Sequence, residues 1–197
     1  MVRACLRKKS ILERALSTRR RLLSGPGVAL ALAGAGCGGA GRSSQRLSAL
    51  PPVPRSHDVA ILNSALDHEY ELIAAYTASI PLLAEPGRLA AEQFLGQHLA
   101  HAGELAGWIE HARATASKPL SAYRLSRPRT SAGMLSALLS LENAMIASYL
   151  AAIPELAPGK LRANTASILA NEAQHVAVLR SVLGRQPVAS ALVTGRQ

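Results

Sequence analysis

The chain states one helical unit twice. The segment Glu69-Tyr-Glu-Leu-Ile-Ala-Ala-Tyr76-Thr-Ala-Ser-Ile80-Pro81 returns 73 residues later as Glu142-Asn-Ala-Met-Ile-Ala-Ser-Tyr149-Leu-Ala-Ala-Ile153-Pro154. A second pair keeps almost the same interval: Leu95-Gly-Gln-His98-Leu-Ala-His101 returns 74 residues later as Leu169-Ala-Asn-Glu172-Ala-Gln-His175. A repeated supersecondary unit cannot bury its apolar face alone, so the two copies are expected to pack around a shared core. The polar members of the repeat are metal-ligand residue types, which points to a symmetric buried site.

Around the repeat lie four helix-length segments with turn signals between them. The first runs from about Asp58, read as its N-cap, to Leu83, where Glu85-Pro86-Gly87 turns the chain into a second, from Arg88 to about Ala114. The polar stretch Thr115 to Thr130 contains Lys118-Pro119 and Arg127-Pro128 and is too long for a hairpin turn. A third segment runs from Ser131 to Leu156, Pro158-Gly159 turns, and the fourth runs from Lys160 to about Leu183. Each has an inward seam at alternating three and four spacing. The seams read Leu62, Leu66, Glu69, Ile73, Tyr76, Ile80; then Phe94, His98, His101, Leu105, Trp108. In the second half they read Leu135, Leu139, Glu142, Ile146, Tyr149, Ile153; then Ile168, Glu172, His175, Leu179, Val182. Strand signals are absent, since Ala and Leu dominate and β-branched alternation is rare. Two short-turn hairpins joined by one long connection predict an all-α fold, an antiparallel four-helix bundle with a crossover between helices 2 and 3.

Every seam carries a carboxylate or imidazole near its middle, where bundle helices want Leu. A carboxylate taken out of water without a partner costs several kcal/mol, so these groups need a cation, a hydrogen-bonding partner or water. From Glu69 or Glu142 the chain climbs about four turns, reverses, and descends a similar distance to His98 or Glu172, which puts the four groups at one level. His98 with His101 and Glu172 with His175 stand at i and i+3, on one helix face, and can close on one ion. The candidate ligands are Glu69, His98, His101, Glu142, Glu172 and His175. Glu104, one turn beyond His101, reads as a supporting or alternative ligand, although its repeat partner is Val178. Tyr76 and Tyr149, two turns from the Glu residues on the same seams, read as ligand-supporting hydroxyls or as core residues with a polar tip. Asp67, His68 and Glu71 have no polar counterpart in the second copy and read as a solvated face. A metal-free bundle whose carboxylates are satisfied by Arg or water is the bland reading of the same residues.

These residues resemble the ferritin-like superfamily of di-iron carboxylate proteins, whose pattern is a Glu from each of two helices and a Glu-x-x-His from each of the other two. Glu69 and Glu142 match the single Glu positions, Glu172 and His175 match one Glu-x-x-His, and His101 matches the His of the other. His98 departs from the pattern, standing where Glu is expected. The resemblance covers roughly residues 57 to 184. It implies bound metal, iron first and manganese, zinc or copper as alternatives, with Glu69 and Glu142 bridging the ions. An enzyme of this kind would be a metal-dependent oxidoreductase acting on dioxygen, peroxide or ferrous iron. His98 lowers the carboxylate charge of the shell from four to three, which disfavours a doubly ferric state. The competing expectation is a non-enzymatic envelope protein with a degenerate or structural site.

The charge lies elsewhere. Residues 1 to 55 hold eleven Arg or Lys and one acid, Glu13, and so account for the whole net charge of +10; from Ser56 onward eleven basic and eleven acidic residues cancel. The basic pI therefore gives no ground for nucleic-acid binding by the folded part. Basic residues through Arg21, an uncharged apolar stretch from Leu22 to Ala35 and small residues around Cys37 form the order of an export signal. Ser17-Thr18-Arg19-Arg20-Arg21-Leu22-Leu23 resembles the twin-arginine motif. Cys37 resembles a lipoprotein acceptor, with cleavage after Ala33 or Ala35 as the competing route. Either route predicts an extracytoplasmic domain in the periplasm or cell envelope. The expected organisation is an export signal over 1–37, a flexible linker over 38–56, the bundle over 57–185 and a tail over 186–197. The expected partners are the export machinery, the membrane through Cys37, and a second copy in a homodimer. No phosphate-binding Gly loop, Ser-His-Asp arrangement or Cys metal site stands out.

Overall fold

A computed structural model describes residues 52–126 and 128–196. The expected export signal, Cys37 and all of the linker before Pro52 lie outside the described residues. Four long helices carry the fold: α1 Ser56–Ser79, α2 Gly87–His111, α3 Ser131–Ala152 and α4 Gly159–Val182. Among the described residues there is no strand. α1 and α3 each end in a single 3-10 turn, Ile80–Leu82 and Ile153–Glu155. The cause is the same in both copies of the repeat. Pro81 and Pro154 cannot donate to the helical ladder and crowd the preceding turn, so the last turn tightens.

The N-terminus of α1 differs in detail from its sequence reading. Arg55 is the N-cap, and Asp58 stands three residues inside as the acidic partner of a capping box. Its carboxylate accepts the Arg55 backbone N–H at 2.7 Å and, from the far end of the chain, the Ala157 N–H at 2.8 Å. Asp58 thus pins the start of α1 to the end of α3. At the opposite end the Ala84 N–H reaches Ser131 Oγ at 3.1 Å, joining the end of α1 to the start of α3. The two helices are therefore antiparallel neighbours.

Each hairpin packs along its own length, α1 on α2 and α3 on α4, and the hairpins meet through α1 with α3 and α2 with α4. Residues 112–126 and 128–130 of the crossover lie on the α1–α3 side. Asn63 holds its start, accepting from Ser117 N at 2.7 Å and donating to the Thr115 carbonyl at 3.3 Å. Higher up, Leu125 and Pro128 roof an apolar cavity of about 630 Å3 over Ala75, Met134 and Leu141. The core follows the predicted seams with local shifts: in α1 Leu72 is buried and Ile73 half-buried, and Ile80, Ile153 and Val182 at the helix ends are half-buried. At the end of α2, Ile109 is fully buried, while Trp108 is half-buried and donates to Glu104 Oε1 at 3.2 Å.

The tail does not simply trail away. Val188, Leu192 and Val193 line a small recess with Ile146 and Val176 on α3 and α4. Gly195, at φ +73, comes so close to α3 that a Cβ there would lie 2.5 Å from the Asn143 carbonyl oxygen and 2.7 Å from Ala147 N. Only glycine allows that approach.

Two outcomes follow for stability. Burial works against the Asp58 charge, but the Ala157 and Arg55 N–H groups outweigh it and hold the carboxyl below its ordinary value of 3.8. Its stabilising share is present above pH 3.8 and is lost as pH falls through the lowered value. Asp58→Ala should cost about 1–2 kcal/mol in urea unfolding at neutral pH, with the gap from wild type closing in acid. Gly195→Val should raise amide exchange at residues 188–194 while leaving the global unfolding midpoint within the range of a surface change, about 0.5 kcal/mol.

Candidate metal centre

Halfway along the bundle the four seams turn polar at one level. Glu69, His98, Glu142 and Glu172 are 0% exposed, His175 is 1% exposed, and His101 alone reaches the surface, with its side chain 12% exposed. All six sequence-predicted ligands meet there. No Arg or Lys pairs with any of them among the described residues, so the reading that placed an Arg beside the carboxylates does not apply.

The six form two overlapping donor sets, one of Glu69, His98, His101 and Glu172, the other of His98, Glu142, Glu172 and His175, each with its donor atoms within 4.8 Å of one another. His98 Nδ1 lies 2.9 Å from Glu69 Oε2, and its Nε2 lies 3.2 Å from Glu142 Oε1. His101 Nδ1 stands 2.8 Å from Glu172 Oε1, and His175 Nδ1 stands 2.9 Å from Glu172 Oε2. The residues common to both sets are His98 and Glu172, whereas the sequence pattern suggests Glu69 and Glu142 for the shared position.

The two tyrosines cross between the repeats. Tyr149 donates to Glu69 Oε1 at 2.8 Å, and Tyr76 donates to Glu142 Oε1 in a short contact. Side chains on a helix lean toward its N-terminus, so on antiparallel α1 and α3 a Tyr two turns beyond one Glu leans back to meet the other. Burial and the neighbouring Glu142 or Glu69 charge push both hydroxyls well above their ordinary range, which keeps them protonated donors.

Two further residues hold the imidazoles. Gln97 Oε1 accepts from His175 Nε2 at 2.7 Å, leaving Nδ1 as the atom facing the site. Phe94 stacks on the same ring, centroids 4.1 Å apart. Neither role was read from the sequence, although Gln97 precedes His98 and pairs with Asn171 in the repeat. Glu104 lies outside both donor sets, exposed, and accepts from Trp108 and from Asn164 Nδ2 at 2.9 Å. Together with His101, Asn171 and Gln174 it lines a polar cleft of about 560 Å3 between α2 and α4.

Among the protein groups themselves, burial opposes the His98 charge, but Glu142 and Glu69 override it and raise the ring to about 10. His101 follows the same balance, lifted by Glu172 and Glu69 to about 9. Burial likewise resists ionisation of Glu142 and Glu69, and the adjacent imidazoles pull both carboxyls down. Glu172 goes the other way, with burial dominant and the Glu142 charge adding to it. Even so, the cluster is not closed by its own hydrogen bonds. His101 Nδ1, His175 Nδ1, Glu142 Oε2 and both Glu172 oxygens are buried without a hydrogen-bond partner. Lone pairs gathered this closely without alignment fit a shared cation, and carboxylate with imidazole suits divalent first-row ions.

The fold recurs in solved structures. A conserved hypothetical protein from Mycobacterium tuberculosis superposes with a TM-score of 0.62 at 20% identity, over 65% of this chain and 98% of that one. A ferritin-like, di-iron-carboxylate protein from Bacillus anthracis str. Ames gives 0.56 at 23% identity, over 66% and 99%. No curated protein matches the chain. The model of the ferritin-like domain family matches residues 57–185, which span all four helices and every one of the six ligand candidates. The chain belongs to the ferritin-like domain family.

Proposed function

We propose that this is an exported metal protein whose bundle-centre ions take part in redox chemistry with dioxygen or peroxide, or in oxidation of ferrous iron. The observation that carries it is a buried set of carboxylate and imidazole groups contributed by all four helices, in which His101, Glu142, Glu172 and His175 keep atoms without a hydrogen-bond partner. Iron is the first candidate because the Bacillus anthracis structure of this fold is a di-iron-carboxylate protein. Manganese, zinc and copper suit the same donors. The basic leader with its twin-arginine-like run supports export to the periplasm or cell envelope, with Cys37 as the site of lipid attachment. Transport of the folded chain by that route would let metal load in the cytoplasm.

Bound ions would supply redox equivalents and open positions for a small oxidant. The chain's residues set the terms. Glu69, His101 and Glu172 would hold one ion, Glu142, Glu172 and His175 the other, with His98 between them. Tyr76 and Tyr149 fix the orientation of the two single carboxylates, and Gln97 fixes the His175 tautomer. Phe94 and Leu105 keep bulk water out. The polar α2–α4 cleft brings small solutes to the edge of His101, the one exposed member.

A second reading has its own support. His98, lying between Glu69 and Glu142, can neutralise the carboxylates without an ion, as a non-enzymatic envelope bundle would require. Metal content separates the two. The purified chain, loaded anaerobically with ferrous iron, manganese or zinc and desalted, should retain stoichiometric metal, and Glu172→Ala should retain only traces. The iron-loaded protein should then consume dioxygen faster than the same iron free in buffer. A wild-type chain that keeps no metal sinks the proposal; metal without oxygen uptake leaves the structural reading. Gln97→Leu should weaken metal binding by about 10–100-fold in competition with a chelator, without unfolding the bundle.

A further inference from the structure

We propose that His98 is a bridging ligand, its ring giving one nitrogen to each of two ions in place of a bridging carboxylate. This rests on the metal-binding reading above and specifies how the ions are joined. The two ring nitrogens face opposite donor sets. Nδ1 lies 2.9 Å from Glu69 Oε2 and 3.8 Å from Glu172 Oε1; Nε2 lies 3.2 Å from Glu142 Oε1. Glu172 divides the same way, Oε1 toward His101 and Oε2 toward His175. Each set then has two nitrogens and two oxygens, and the two sets share the same pair of bridging residues.

Unsatisfied donors lie on both sides of the ring. His101 Nδ1 with Glu172 Oε1 is on one side, and His175 Nδ1 with Glu172 Oε2 and Glu142 Oε2 is on the other. One ion would answer only one side. Charge balance agrees with two. Three carboxylates carry three negative charges, and a His98 ring bound through both nitrogens has given up both N–H protons to solvent and carries a fourth. Four negative charges match two divalent ions in a site buried from bulk solvent. No electron moves in this step; metal–nitrogen bonds replace nitrogen–proton bonds.

The ring also sets the spacing. With metal–nitrogen bonds of about 2.0–2.1 Å on either side of an imidazole, the ions stand on the order of 6 Å apart. Pairs in ordinary two-metal sites stand roughly 3.5–4 Å apart. His98 therefore makes this a wider, nitrogen-rich pair.

The test uses the full-length protein, stripped of metal and titrated with Zn2+ at neutral pH. Wild type should bind two Zn2+ per chain, and X-ray absorption should show imidazole nitrogens with no zinc neighbour within roughly 4 Å. His98→Glu should also bind two, now with a zinc neighbour at roughly 3.5–4 Å. His98→Gln, which offers no second ring nitrogen and serves if the Glu variant fails to fold, should hold its second Zn2+ at least 100-fold more weakly than wild type. One Zn2+ per wild-type chain, or a close zinc pair in wild type, overturns the bridge and leaves the metal reading standing. No bound zinc in wild type or either variant overturns both.

Discussion

Three carboxylates lie at the centre of a helical bundle with no access to bulk water, and the surrounding packing answers to that constraint. Each would cost several kcal/mol if left alone. The charged level is set between apolar layers. Leu62, Leu66, Leu105, Ile109 and Leu161 fill the end where α1 begins, and Phe94, Leu135, Leu139 and Leu179 fill the other. A fully buried Leu or Ile contributes about 1.5–3 kcal/mol, so the layers can carry a polar slab between them. The slab then needs partners rather than further burial, and hydroxyl, imidazole and amide side chains are packed to supply them.

The partners follow from antiparallel geometry. Duplication gives each half a Glu and a Tyr, but neither half can satisfy its own Glu with its own Tyr, because both lean the same way along one helix. Facing the second copy in reverse, each Tyr meets the opposite Glu. The repeat is thus a device that closes only when both hairpins are present. It couples the folding of α1 and α2 to that of α3 and α4 through groups that are costly to leave unpaired. His98 breaks the chemical symmetry without breaking this coupling, since it contacts Glu69 from one half and Glu142 from the other.

The repeat made most of this legible. Intervals of 73 and 74 residues made the helix order, the long crossover and the common level of Glu69, His98, Glu142 and Glu172 readable, because helical rise converts residue counts into heights. What it could not convey was rotation about each helix axis and the reach of side chains between helices. Trp108 and Ile109 are adjacent, and only packing decides that Ile109 turns inward. Nothing in the sequence singles out Gln97 as the partner of His175, which its Oε1 meets across the bundle. The resemblance assigns the shared position to Glu69 and Glu142, while the two residues that belong to both donor sets are His98 and Glu172. Asp58 and Gly195 each act on a partner remote in sequence, Ala157 and Asn143, and carry no local signal of it.

The two open faces of the bundle are not equivalent, and this bears on what can reach the centre. On the α1–α3 side residues 124–126 and Pro128 of the crossover lie over the helices, and the space beneath them is largely apolar, with Glu71, Ser79 and Arg124 in its lining. On the α2–α4 side the cleft is lined by Asn164, Asn171, Gln174 and Glu104, which can replace hydration stepwise. That cleft ends at His101, whose ring is the one ligand candidate with an exposed edge. The cleft therefore meets the half of the cluster that holds Glu69 and His101. The half that holds Glu142 and His175 lies deeper, closed by Phe94 stacked on His175.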